Sequence, residues 1–65
     1  MIISYKYRVT LDKDDGRLSI TSNILSNKVL TNTAIYDRVH KETMRSQHCS
    51  DKSILNVKVL GTKTL

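Results

Sequence analysis

Three side chains in this 65-residue chain have the chemistry of bases, nucleophiles or soft metal ligands: His40, His48 and Cys49. A Cys–His nucleophile needs its two side chains to converge in the fold. His48 and Cys49 are adjacent and leave the backbone in different directions, and His40 lies two helical turns earlier. The sequence places no carboxylate beside either imidazole. A loop thiol and two surface imidazoles are the reading these positions support. Structural zinc wants four N or S ligands, usually as two close pairs, and the chain offers three such atoms. The phosphate-cradling patterns GxxxxGK[ST] and GxGxxG do not occur. Of the six acids, Asp12, Asp14, Asp15, Asp37 and Asp51 fall in turns, loops or the start of a helix. Glu42 is expected on the solvent side beside Arg38. No catalytic site, metal or cofactor follows.

The stretch TLDKDDGRL, residues 10 to 18, poses a separate question, because three aspartates and a glycine suggest calcium. An EF-hand loop needs oxygen ligands at positions 1, 3 and 5, glycine at 6 and a bidentate Glu at 12. Asp12 and Asp14 fit the first two positions. Asp15 and Gly16 each come one residue early, and position 12 would be the neutral Asn23. A hairpin turn fits better. Asp15-Gly16 is a pair favoured where a tight turn needs positive φ, and it separates two alternating runs.

What remains is charge. Eleven Lys and Arg against six Asp and Glu give a net charge of +5. A surplus of this sign on a small domain favours acidic partners, although basic surfaces also serve solubility. With no Trp or Phe and three Tyr, the core must be built from Ile, Leu and Val. A chain of this length forms one domain, residues 1–65, of marginal stability, with little interior to spare for a deep pocket. One cysteine cannot make an internal disulfide. MIISYKYR lacks the basic-then-apolar pattern of a signal peptide, and no apolar run approaches the ~20 residues of a membrane span. A cytoplasmic, reducing setting without membrane contact is the resulting expectation.

The elements that must position these charges come from periodicity. Residues 3 to 11 alternate strictly, with Ile3, Tyr5, Tyr7, Val9 and Leu11 on one face, which predicts a strand. Residues 17 to 24 repeat the pattern with Leu18, Ile20 and Ile24. Residues 25 to 33 are ambiguous between a turn with a short extension and a loop that drops Val29 and Leu30 into the core. Residues 34 to 47 predict a helix capped by Asn32 or Thr33, with Ile35, Val39 and Thr43 as its apolar stripe and an Asp37–Lys41 pair. Residues 48 to 53 read as a loop and 54 to 60 as a last strand. The fold class is therefore α+β: ββαβ, a three-stranded, mostly antiparallel sheet in the order 2-1-3 with the helix on one face. The predicted core is Ile3, Tyr5, Tyr7, Val9, Leu18, Ile20, Leu55, Val57 and Val59, covered by Ile35 and Val39.

Two basic groupings emerge on that scaffold. Lys6, Arg8, Arg17 and Lys58 fall on the open sheet face, among short polar side chains that can hydrogen-bond phosphates or base edges. Arg38, Lys41 and Arg45 form a stripe on the outer face of the helix. Ordinary solvation explains either grouping as well, since open sheet faces and outer helix faces are normally polar. Ile2, Ile54 and Leu60 interrupt the polar sheet face and mark a protein contact or a homodimer interface. The expected function is a small non-enzymatic protein that docks a basic surface on nucleic acid or on an acidic face of a nucleic-acid-processing complex. The alternative is an inhibitor or adaptor of the phage or plasmid type that blocks a partner protein.

Overall fold

The computed structural model describes all 65 residues. Strands β1 (Ile3–Lys13) and β2 (Gly16–Ser26) form a hairpin, helix α1 (Asn32–Gln47) follows, and a single 3-10 turn (Asp51–Ser53) leads into β3 (Ile54–Thr64). The sheet order is β2-β1-β3, and β1 pairs antiparallel with both neighbours. This is the small α+β fold expected from the pattern, with all three strands longer than their periodic cores.

The period-two rule on β1 decides what is inside. Ile3, Tyr5, Tyr7, Val9 and Leu11 are buried, and Leu11 is 0% exposed. They meet Ile35 and Val39 of α1, with Thr43 buried on the same helical stripe. Leu11 and Ile24 belong to the core although the predicted core omitted them. Two predicted core members are displaced. Leu18 lies on the inner face of an edge strand, opposite Leu11, and is 41% exposed. Leu55 is 46% exposed because β3 slips register between its pairings with Thr10 and Leu11. That bulge pairs Leu11 with Ile54 and leaves Leu55 as the extra residue, so Ile54 turns inward against the core. One added residue inverts the alternation beyond it.

Local chemistry explains the connections. The turn joining β1 and β2 is centred on Asp14-Asp15, flanked by the paired Lys13 and Gly16. Neither aspartate has positive φ; Gly16 does, at φ 132°. The turn is thus centred one residue earlier than the Asp15-Gly16 reading implied, with positive φ on Gly16 but not on Asp15. After β2, the Ser26 hydroxyl donates to the Lys28 carbonyl at 2.7 Å and accepts from the Lys28 N–H at 3.2 Å, which closes the bend. Leu30 packs against the core and its N–H donates to the buried Tyr5 hydroxyl at 2.9 Å, while Val29 is 76% exposed. The helix starts earlier than predicted. Thr31, rather than Asn32 or Thr33, is the cap, its hydroxyl accepting from the Ala34 N–H at 3.1 Å. His48 ends α1 in the left-handed conformation, at φ 51°.

The two leucines at the hairpin end separate burial from mere position on the inner face. Leu11→Ala should cost about 2–5 kcal/mol, because it empties a sealed site. Leu18→Ala should cost under about 1 kcal/mol, since its side chain is partly in water and leaves no sealed cavity. Urea unfolding of both variants checks the contrast, and equal losses would contradict the register described here.

Candidate functional site

The open face of the sheet is set by the same alternation. Ser4, Lys6, Arg8, Thr10 and Asp12 of β1 face away from α1. Register places Leu25, Asn23, Thr21, Ser19 and Arg17 of β2 beside them in that order. On β3, Lys63, Gly61, Lys58 and Asn56 stand opposite Ser4, Lys6, Arg8 and Thr10. The face therefore presents Lys6, Arg8, Lys58 and Lys63 as one group on β1 and β3, with Arg17 farther along opposite Asp12. All of these cations are exposed. Arg8 and Lys58 are direct cross-strand partners, with Cα atoms about 4.5–5.5 Å apart. Lys6 lies two residues along β1, about 6.6 Å away.

Lys63 is the member that sequence reading missed. The predicted strand stopped at Leu60, whereas β3 continues to Thr64. The alternating Thr62, Lys63 and Thr64 carried the signal, masked by Gly61 and by a second bulge. That bulge makes Leu60 the extra residue between the Tyr7–Val59 and Lys6–Gly61 pairs. With no side chain at Gly61, a shallow hollow of ≈ 260 Å³ opens between Lys6 and Lys63, lined also by Ser4 and Asn23. The Asn23 side-chain amide donates to the Ser4 hydroxyl at 3.0 Å across its floor. A Cβ on Gly61 would meet nothing within 4 Å, so the space is open and not a packing requirement of the fold.

The helical grouping behaves differently. Lys41 pairs with Asp37 at 3.1 Å, as its spacing predicts. Arg45 pairs with Glu42 at 2.6 Å, so Glu42 serves Arg45 and not Arg38. The hydrogen bond to Glu42, aided by its charge, holds the Arg45 pKa above its ordinary value. Arg38 alone in that stripe has no acidic partner. On the sheet face none of Lys6, Arg8, Arg17, Lys58 and Lys63 forms an ion pair. The structure thus separates two groupings that look alike in sequence: the helix stripe is largely neutralised by its own acids, and the sheet array is not.

The remaining candidates are scattered. His40 Nδ1 lies 2.7 Å from Asp51 Oδ1, a carboxylate partner that the sequence did not indicate because the chain folds back between them. The contact ties α1 to the 3-10 turn. Cys49 Sγ is directed at the Thr43 carbonyl, 3.9 Å away, so it shares no hydrogen bond with either histidine. No three His, Cys, Asp or Glu side chains gather as a metal site. Of the apolar set Ile2, Ile54 and Leu60, Ile54 is removed to the core side by the bulge. Ile2 and Leu60 stay exposed, and Leu25 and Leu65 are exposed near Ile2, whose carbonyl accepts from the Leu65 N–H at 2.8 Å. No helix is long and apolar enough to cross a membrane. No protein-family model, curated protein or solved structure matches the chain.

Two like charges directly opposite on one sheet face oppose folding. Lys58→Thr should therefore raise the unfolding free energy by about 0.2–1 kcal/mol at low ionic strength. The gain should shrink near 1 M salt, where the screening length is about 3 Å. Denaturant midpoints at the two ionic strengths check this. A lower midpoint at low salt would mean that Lys58 serves stability.

Proposed function

We propose that this protein is a small non-enzymatic binding module that lays the open face of its sheet against nucleic acid, holding phosphates with Lys6, Arg8, Lys58 and Lys63. One observation carries the reading: these cations share one face with no acid paired to any of them, while the helix neutralises most of its own. A surface kept cationic for solubility alone has no reason to set Arg8 directly against Lys58 at a cost in stability. Around the array, Ser4, Thr10, Ser19, Thr21, Asn23 and Asn56 supply short hydroxyl and amide groups that can bond phosphate or sugar oxygens. The hollow at Gly61 has the two lysines at its rim and suits a phosphate. The buried Tyr5 and Tyr7 and the helical Tyr36 leave no aromatic ring on this face. Contact would then rest on the backbone of the nucleic acid and not on stacked bases.

A second reading has its own support. Ile2, Leu25 and Leu65 put apolar area at one end of the cationic face, and Leu60 lies exposed beside the second bulge. An inhibitor or adaptor that seats this face on an acidic protein would use both features. A partner retained after nuclease treatment of a pull-down favours the protein target, and one lost with the nucleic acid favours the first reading.

Fluorescence anisotropy against labelled duplex and single strands, across a salt series, tests the proposal. Binding should weaken linearly in log–log form, with a slope of about −0.9 per phosphate neutralised on B-form DNA. Lys6→Gln, Arg8→Gln, Lys58→Gln and Lys63→Gln should each reduce that slope by about 1. Lys41→Gln and Arg45→Gln should change it far less, because their acids already offset them. No binding at low salt, or a larger effect from the helix than from the sheet, would overturn the proposal.

A further inference from the structure

The two edges of the sheet are not alike. Strand β3 is interrupted by two bulges, carries Lys58 and Lys63, and includes Gly61. Those are the devices by which natural edge strands resist pairing with another chain. Strand β2 has no bulge, and its one charge and one glycine, Arg17 and Gly16, sit together at its first two positions. Its pairing with β1 is regular over its whole length, with no bulge, and from Leu18 to Leu25 it bears no charge and no proline. Its inner face is also incompletely covered. Helix α1 lies closer to β3 than to β2, leaving a groove of ≈ 390 Å³ along β2, floored by Ile20, Ser22 and Ile24.

We infer that β2 is a self-association edge, and that its occupant is β2 of a second copy of this chain, antiparallel about a two-fold axis through Ser22. The edge is self-complementary in that register. Ile20 meets the partner's Ile24 on the groove side, Leu18 meets the partner's Ser26, and Ser22 meets itself. On the open side Thr21 lies opposite the partner's Asn23, and Ser19 opposite the partner's Leu25. Arg17, the one charge on β2, reaches the partner's uncharged Asn27 at the end of the pairing. Apolar groups thus face apolar or small ones, and no like charges are opposed. Both grooves join into one trough between the two helices, with Ser22 at its centre and Arg38 and Glu42 along each helical wall.

Charge distribution favours this occupant over a foreign strand. Lys6, Arg8, Lys58 and Lys63 all sit on β1 and β3, so pairing through β2 brings together the uncharged middles of the strands and sends the sheet cations outward, while Arg38 and Glu42 of α1, one of each sign, line the groove beside it. The order becomes β3-β1-β2-β2-β1-β3. The two β1 strands then lie about 14 Å apart, from three strand spacings of ~4.8 Å. That exceeds the screening length of about 8 Å at physiological ionic strength, so repulsion between the two sheet arrays is largely screened. The inference rests on the edge alone and stands or falls apart from the nucleic-acid reading.

Sedimentation equilibrium over a wide concentration range, with circular dichroism as the folding control, is the test. The wild-type chain should reach twice its 7.4 kDa mass. Ser22→Lys sets a charge against its own copy at an exposed position, and should return the chain to a single mass with its spectrum unchanged. Thr62→Lys, an exposed change on the other edge strand, should leave the double mass intact. In a Cys49→Ser background, Ser22→Cys should crosslink under mild oxidation, because directly opposed strand residues fall within disulfide reach. Thr62→Cys in that background should not crosslink. A wild-type chain of single mass up to millimolar concentration overturns the inference, as does a dimer that Ser22→Lys leaves intact. A monomer that takes a strand of a different protein on β2 likewise overturns it.

Discussion

Everything in this molecule depends on the strict alternation of β1, the one strand paired on both sides. Its odd-numbered residues, from Ile3 to Leu11, form the spine of the core, and its even-numbered residues from Ser4 to Thr10 form the spine of the open face. Neither face can be altered by a shift in register without exchanging the two sets. Burial of the tyrosines and aliphatic residues under α1 therefore fixes Lys6 and Arg8 in water on the opposite side. The flanking strands inherit this division through their pairing with β1. The helix contributes Ile35, Val39 and Thr43 to the core and keeps most of its charge to itself.

The strands and the helical stripe were legible because each rests on a period that one sequence displays, and the strand order followed from the right-handed crossover rule applied to them. Two bulges in β3 were not, because nothing in ILNVKVLG marks where an extra residue enters. Each bulge changes which side chains reach the core: Ile54 goes in, Leu55 goes out, and Lys63 returns to the open face. The cationic array was readable at Lys6, Arg8 and Lys58, where the alternation is unbroken. It was not readable at Lys63, beyond Gly61. The His40–Asp51 contact and the choice of Thr31 as cap depend on how the chain bends after each element, and composition does not determine that. Ion pairing made the decisive distinction between the two basic groupings. The i,i+4 pair of Asp37 and Lys41 is a sequence feature, whereas Glu42 had two arginines within reach and took Arg45.

The open face and the β2 edge are complementary parts of one account. Cations are concentrated on β1 and β3 and absent from the middle of β2, and both the proposed polyanion on one flank of the sheet and the proposed second copy on the other start from that asymmetry. Association through β2 would set two arrays side by side on one continuous surface, doubling the phosphates met without new chemistry. Cross-strand repulsion between Arg8 and Lys58 makes the array a small burden on folding.

Mapping a short DNA duplex onto the protein by NMR tests the central claim most directly, with amide and side-chain signals followed during titration at low salt. The account predicts that the largest shifts fall on Lys6, Arg8, Lys58, Lys63 and the Gly61 hollow, with the outer face of α1 little changed. Shifts centred on Arg38, Lys41 and Arg45, or none at all, would contradict it.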